Sequence, residues 1–501
     1  MVSYDNLLQQ TNAAFDSGKT LDLAFRKNQL RALRRLYLEQ EEEMLIALAR
    51  DLQKPRHEAQ LCEIIFLKNE VNDLLHNLEE YAAADTPSKP LANILDQLYI
   101  FKDPYGIVLI MSPWNYPLAL SLIPLGGAIA AGNCAIIKPS ELAPHTASFI
   151  AKYVPKYLDS ECFHVVCGGV EETAALLQQK FDYIFYTGST RVGQIIHQAA
   201  NKHLTPCTLE LGGKSPCFLG EDVNLERATK RILWGKFMNG GQTCIAPDYI
   251  LCSNEVQKIF LEHAKNILTQ WYGEYPKTTA DLCRIINKSH FDRLTSYLKS
   301  GDVVIGGGFD PVELFIEPTV LVNVKLDDPI MNDEIFGPIL PIVNVQDAIE
   351  AVKFIRSKPK PLALYVFSAD SQVQKLFIKN VSAGGMCINE TILHYSVDTL
   401  PFGGVGLSGF GSYHGKETFD SMCHRKACLK KRCDWLSEAL GSFRYPPFSK
   451  IKTTLLLELL KHRDFPKFLK YLPYFVVFAM GNASCWFYYS YANHKNNVMS
   501  E

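Results

Sequence analysis

Between residues 107 and 186 the chain alternates short, wholly apolar runs with segments of helical period, and nothing else in it restricts the fold so tightly. Runs at 107–111, 134–137, 164–167 and 183–186 have the length and composition of buried strands. Residues 118–131 and 146–157 place apolar side chains at three- and four-residue steps, which predicts helices. Strand, helix, strand, helix requires crossovers, and these are right-handed and build a mostly parallel, doubly wound sheet. The predicted fold class is therefore α/β.

The rest of the chain extends this reading. Residues 23–80 repeat Leu30, Leu33, Leu36, Ile46, Leu48, Leu74, Leu75 and Leu78 with charges on the opposite faces, predicting amphipathic surface helices. A connector containing Pro and Ser follows at 85–90. A second βα-rich stretch at 211–389, with strands expected at 249–252, 303–305, 339–343 and 362–367, forms a second α/β domain. Past Arg444 the composition changes abruptly, as in an appendage to a finished globule. Lys+Arg 51 against Asp+Glu 53 leaves a formal charge of −2, too little to hold a polyanion, so nucleic acid is not an expected partner. The 14 cysteines form no C-x-x-C pair and are read as reduced thiols; the polar N-terminus is unlike a secretion signal.

Five stretches carry residues suited to chemistry. A strand ends at Thr187, and Gly188, Ser189, Thr190, Arg191, Val192 and Gly193 lead into a helix. Such a turn either presents free N–H groups and the positive helix end to a phosphate, or is an ordinary strand-to-helix connection. Cys244 follows Asn239-Gly240-Gly241-Gln242-Thr243; it is a nucleophile facing a cavity or an inert core thiol. Glu210, flanked by leucines and followed by Gly212-Gly213, is a desolvated base or an outward-pointing edge residue. Asn115, in Pro113-Trp114-Asn115-Tyr116-Pro117, donates to an oxyanion or caps a helix. Glu334, with Phe336 beside it, accepts from ribose hydroxyls or closes a turn before a strand.

Taken together and in order, these stretches, with Lys138 and Glu141 in I-K-P-S-E, resemble the aldehyde dehydrogenase superfamily over nearly the whole chain from Leu23 to Tyr445. The L-E-L-G-G-K-S-P context of Glu210 and the G-Q-T-C context of Cys244 are the most specific. The stretches I-A-A-G-N at 129–133, K-H-L-T-P at 202–206, C-I-A-P-D-Y at 244–249 and P-F-G-G-V-G at 401–406 are similar to the class 3 branch, and to fatty aldehyde dehydrogenase in particular. The resemblance implies a Rossmann-like cofactor domain (1–85 with 107–210), a catalytic domain (211–395), and a small oligomerisation element (86–106 with 396–445) that joins two copies in a homodimer. It implies Cys244 as nucleophile, Asn115 and the Cys244 backbone N–H as oxyanion donors, and Glu210 as the base for water. Lys138 and Glu141 would meet the adenine-side ribose of NAD, with NADP also possible. Gly188, Ser189, Thr190 and Gly193 would cradle the pyrophosphate, and Glu334 with Phe336 the nicotinamide riboside. The implied reaction converts medium- to long-chain fatty aldehydes, or short or aromatic ones, to acids. A non-catalytic binding protein of the same fold is the other class, marked by loss of Cys244, Glu210 or Asn115.

The tail at 446–501 is basic and then aromatic. Residues 471–493 carry no charge, and 471–491 as a helix extend about 32 Å, near the thickness of a bilayer core. Lys450, Lys452, Lys461, Arg463, Lys467 and Lys470 precede it. A C-terminal anchor on an endoplasmic-reticulum-type membrane, with the body cytosolic, is the expected location. A surface-lying segment, or packing on the body or a partner subunit in a cytoplasmic protein, are the alternatives. Val498-Met499-Ser500-Glu501 offers no prenylation box.

Overall fold

The computed structural model describes residues 4–461, 477–478, 480–486 and 488. The chain divides into two compact units, one of Met1–Ala84 and Phe101–Lys426, the other of Asp85–Ile100 and Ala427–Glu501.

The first unit holds two sheets. One has six strands in the order Gly409–Phe410, Cys207–Glu210, Tyr183–Thr187, Ile107–Met111, Cys134–Lys138, Phe163–Val165. All neighbours are parallel except the edge strand Gly409–Phe410. From Ile107–Met111 the chain steps outward through Cys134–Lys138 and Phe163–Val165, then returns to the other side of Ile107–Met111 at Tyr183–Thr187. That reversal leaves a crevice at the carboxyl ends of these two strands, where open α/β sheets bind ligands. The loops leaving them carry Asn115 and the Gly188 turn. The second sheet has seven strands in the order Gly385–Ile388, Ala363–Phe367, Pro216–Leu219, Tyr249–Cys252, Ile339–Asn344, Thr319–Val322, Asp302–Ile305. Its only antiparallel pair is Thr319–Val322 with Asp302–Ile305.

The central strands are buried on both faces, which is why they read as unbroken apolar runs. Helix Ala119–Ala131 is buried all round, as its near-total lack of polar side chains requires. In Leu23–Glu39, Glu41–Leu52 and Ile65–Ala82, the leucines at 30, 33, 36, 48, 74 and 78 are buried as the periodicity predicts. Ile46 is not; it is 45% exposed, because the buried stripe of its helix runs through Met44, Leu45, Leu48 and Leu52. The strand expected at 164–167 is Phe163–Val165: Phe163 is the side chain that packs inward, and Cys167 is exposed before the Gly168-Gly169 turn. Pro216–Leu219, Thr319–Val322 and Gly385–Ile388 are four-residue strands too short to register in the sequence, and Cys207–Glu210 was anticipated only as an edge strand in the alternative reading of Glu210.

The anchor expected at 471–493 lies largely outside the described residues, as does 462–470 of the basic stretch. Helix Lys450–Leu460 covers the part of that stretch that is described, and Ile451, Leu455, Leu457 and Leu460 on it are exposed. Among the described residues no helix is long and apolar enough to cross a membrane.

Candidate active site

Helix Leu225–Phe237 ends in a turn, Met238–Gly241, in which Asn239 (φ 55°), Gly240 (60°) and Gly241 (71°) all adopt left-handed backbone. Asparagine and glycine are the residues that tolerate this conformation. At Gly241 a Cβ would also collide with the Gly337 carbonyl oxygen. Gly241→Ala therefore combines a left-handed penalty of about 1–2 kcal/mol with overpacking of about 1–3 kcal/mol, and we expect thermal melting several degrees lower with most activity lost. The Gln242 side chain anchors the next segment, donating to the carbonyls of Asn239 and Arg284 at 3.0 Å each and accepting from Ile286 N–H at 3.0 Å. Cys244 emerges from this braced loop, partly buried. Burial pushes its thiol well above the ordinary value, and the carboxylates of Glu334 and Glu210 push in the same direction.

Asn115 lies in the loop after Ile107–Met111 and is 3% exposed. Its Nδ2 donates to the Gln242 carbonyl at 3.0 Å, so it faces the Cys244 loop. It caps no helix; the following helix begins at Ala119 with Leu118 before it and no side-chain cap.

Glu210 ends strand Cys207–Glu210, opposite Thr187 on one side and Gly409 on the other. It points inward, 2% exposed, and neither carboxylate oxygen has a hydrogen-bond partner among the described residues. Desolvation alone raises its pKa well above the usual carboxylate value. The outward-pointing edge reading does not hold.

Two cavities meet at these residues. The larger, about 510 Å³, is walled by Trp114, Asn115, Gly188, Ser189, Thr190, Glu334 and Phe336. The smaller, about 170 Å³, is lined by Leu61, Phe66, Tyr116, Trp234, Tyr395 and Phe402 among others. Both are bordered by Cys244, Glu210, Leu120, Thr187 and Leu211. The thiol and the orphaned carboxylate thus sit where a polar chamber and an apolar one adjoin.

The polar chamber has the features of an anion and ribose site. Ser189 caps helix Thr190–Asn201 by accepting from Val192 N–H, and the Gly188 N–H donates to the Glu210 carbonyl at 2.9 Å. A Cβ on Gly188 would strike the Tyr186 hydroxyl, so glycine is demanded there by close approach. Gly193 does not border the chamber; a Cβ on it would lie 2.6 Å from the Leu211 side chain. Glu334 Oε1 is buried without a hydrogen-bond partner among the described residues, and burial, with help from Asp248, pushes the carboxyl up to about 8. Phe336 (φ 53°) meets Trp114 edge-on at 5.3 Å. Lys138 and Glu141 border neither cavity. They form a 2.8 Å ion pair at the end of strand Cys134–Lys138; burial is the largest influence and opposes the Glu141 charge, but the Lys138 hydrogen bond, a backbone hydrogen bond and the Lys138 charge together outweigh it and hold the pKa low.

Sequence reasoning missed several residues around the thiol. Asn239 Nδ2 donates to both the Asn115 and Gln242 carbonyls, and Lys54 Nζ reaches the Asn115 carbonyl. The N-G-G run was a left-handed-turn signal for Asn239; Lys54 had none. The aromatic walls Phe66, Tyr395, Phe402 and Tyr413 come from distant segments and look like core in the sequence.

The profile of the aldehyde dehydrogenase family matches residues 2–428. Aldehyde dehydrogenase family 3 member B1 of Rattus norvegicus is 46% identical over 463 residues, covering 92% of this chain and 98% of the relative. Aldehyde dehydrogenase family 3 member A2 of Mus musculus is 48% identical over 441 residues, covering 88% and 91%. The structure of Staphylococcus aureus AldH in its substrate-bound state superposes with a TM-score of 0.89 at 42% identity, covering 92% of this chain and all of that one. The chain belongs to the aldehyde dehydrogenase family. It is an oxidoreductase that oxidises aldehydes with a nicotinamide cofactor.

Proposed function

We propose that Cys244 is the nucleophile of this oxidation, that Glu210 activates the hydrolytic water, and that the substrates are medium- to long-chain fatty aldehydes with NAD as the preferred cofactor. The observation that carries the reading is the position of Cys244 and Glu210 on the wall shared by an apolar and a polar cavity. An aldehyde has no leaving group, so its carbon must first become tetrahedral. Cys244 sulfur attacks it, and the oxyanion is held by the second N–H of the Asn115 amide and by the Cys244 backbone N–H. The attacking form is the thiolate, its proton having passed to solvent through the larger chamber, and the carboxylates Glu210 and Glu334, which oppose that ionisation, are themselves held high by burial. The nicotinamide group, when bound, supplies the hydride acceptor. Cys244 is then a thioester, and Glu210 takes a proton from the water that hydrolyses it.

The chain fits a dinucleotide. Gly188, Ser189 and Thr190 offer a tight turn at a helix N-terminus for the pyrophosphate, the orphaned Glu334 Oε1 is free to accept from ribose, and Phe336 lies on the chamber wall. The charged Glu141, paired with Lys138, suits ribose hydroxyls and repels a 2′-phosphate. In this reading residues 1–85 and 107–210 hold the cofactor, 211–395 supply the thiol, and 86–106 with 396–445 join two copies.

The walls of the smaller cavity favour hydrocarbon. Each buried methylene contributes about 0.8 kcal/mol, so kcat/KM of saturated aldehydes rises about fourfold per carbon until the cavity is filled. The assay is NADH formation at 340 nm over a chain-length series, with NAD and NADP in parallel. A flat or falling series discards the fatty-aldehyde assignment.

The exposed leucines of Lys450–Leu460 and the uncharged stretch after it support membrane attachment of the tail. Truncation after Tyr445 is expected to move the protein from the membrane to the soluble fraction on sedimentation. An unchanged distribution sinks the anchor.

A further inference from the structure

Lys54 has no part in the chemistry above, yet its ammonium is wholly withdrawn from solvent beside the nucleophile loop. Nζ donates to Glu63 Oε1 at 2.6 Å and to the Asn115 carbonyl at 2.9 Å, and lies 4.3 Å from the centre of the Tyr116 ring. Both side chains of the ion pair are 0% exposed. Glu63 uses its other oxygen to accept from Leu118 N–H at 2.9 Å and Ala119 N–H at 3.1 Å. The pair therefore grips the turn at Asn115, Tyr116, Leu118 and Ala119. Glu63 belongs to a π-helical stretch, Gln60–Ile64, a costly local distortion that concentrates at functional sites.

From the opposite side the same turn is tied to the nucleophile loop. Asn239 Nδ2 donates to the Asn115 carbonyl at 3.0 Å and to the Gln242 carbonyl at 3.1 Å, and the Tyr116 hydroxyl bonds Thr243 Oγ1 at 2.7 Å. The Asn115 carbonyl thus receives two buried donors, one charged. Its amide spends one N–H on Gln242 and keeps the other. A buried ion pair is a poor device for stability alone, since apolar replacements of similar volume are often as stable. It is a good one for fixing a position.

We propose that Lys54, oriented by Glu63 and completed by Asn239, is a positioning residue for the reaction: it fixes the turn so that the free N–H of Asn115 stays in register with Cys244. The inference rests on Asn115 as an oxyanion donor. Displacement of such a donor by about 1 Å costs on the order of 100-fold in rate without weakening substrate binding.

The test is a double-mutant cycle on the full chain. Lys54→Met with Glu63→Gln removes the ammonium without leaving a buried unpaired charge, and the glutamine oxygen still accepts from the turn. The readouts are the pre-steady-state rate of NADH appearance, KM for the aldehyde, and the rate of Cys244 alkylation by iodoacetamide, which forms no oxyanion. The double variant is expected to lose about 10- to 100-fold in the pre-steady-state rate, with KM and alkylation within about threefold of the parent. In an Asn115→Ala background the same change costs less than about twofold, because the group being positioned is gone. Asn239→Gly, which removes the amide, keeps the left-handed backbone without strain and leaves the ion pair intact, gives the same pattern from the other side and serves if the first variant does not fold. A full loss persisting in the Asn115→Ala background, or alkylation falling in step with turnover, overturns the inference. An Asn115→Ala enzyme at the parental rate removes the oxyanion assignment itself and this inference with it.

Discussion

Cys244→Ala loses aldehyde oxidation by about 10⁴-fold or more and still binds NAD. The size follows from the chemistry. Without a nucleophile the carbonyl carbon stays trigonal and has no hydride to give, and no other thiol borders either cavity except Cys62. Cys62 is a weak substitute: it is buried, its thiol is pushed up to about 12, and it contacts Met238 Sδ at 3.3 Å. Cofactor binding survives because the groups expected to hold it, from Gly188 to Thr190 and at Glu334 and Phe336, do not depend on the Cys244 sulfur. Quenching of protein fluorescence on NAD titration measures the binding, and absorbance at 340 nm the turnover. Retained turnover would falsify the nucleophile assignment.

Glu210→Gln gives a different failure: one equivalent of NADH per site appears rapidly, and steady turnover then falls by about 10²- to 10⁴-fold. The amide fills the same space but takes no proton from water, so the thioester accumulates. The pH dependence has a fixed sign. Burial places the Glu210 pKa well above the ordinary carboxylate value, and only its ionised form activates water. Steady turnover is therefore present above that raised pKa and lost as pH falls through it, a limb that the glutamine variant lacks. Burial opposes the charge, so the variant melts no lower than the parent at neutral pH. Parental steady rates in Glu210→Gln remove it from hydrolysis.

The parts legible in the sequence were those in which one short stretch contains its own physical reason. Ile107–Met111 and the residues 183–186 are apolar throughout because both faces are covered, and the glycines after Thr187 and before Cys244 announce turns. Glu210 could be located but not oriented: the same leucine-flanked carboxylate can point out or in, and only the neighbouring strands decide. Lys138 and Glu141 were legible only through the resemblance of I-K-P-S-E, which matches them to the adenine-side ribose; their ion pair at the sheet end was not. Lys54 and Glu63 were invisible because their meaning depends on contacts with a turn 61 and 55 residues away. The apolar chamber was hidden for the same reason, its rings being gathered from Phe66, Trp234, Tyr395 and Tyr413.

The central claim is that the acyl group passes through the sulfur of Cys244. Glu210→Gln mixed with NAD and a saturated aldehyde, acid-quenched after the burst and digested, is read by peptide mass spectrometry. The expected result is an acyl group on the peptide containing Cys244, in amount equal to the NADH released. NADH formed with that peptide unmodified, or with the acyl group on another cysteine, contradicts the account.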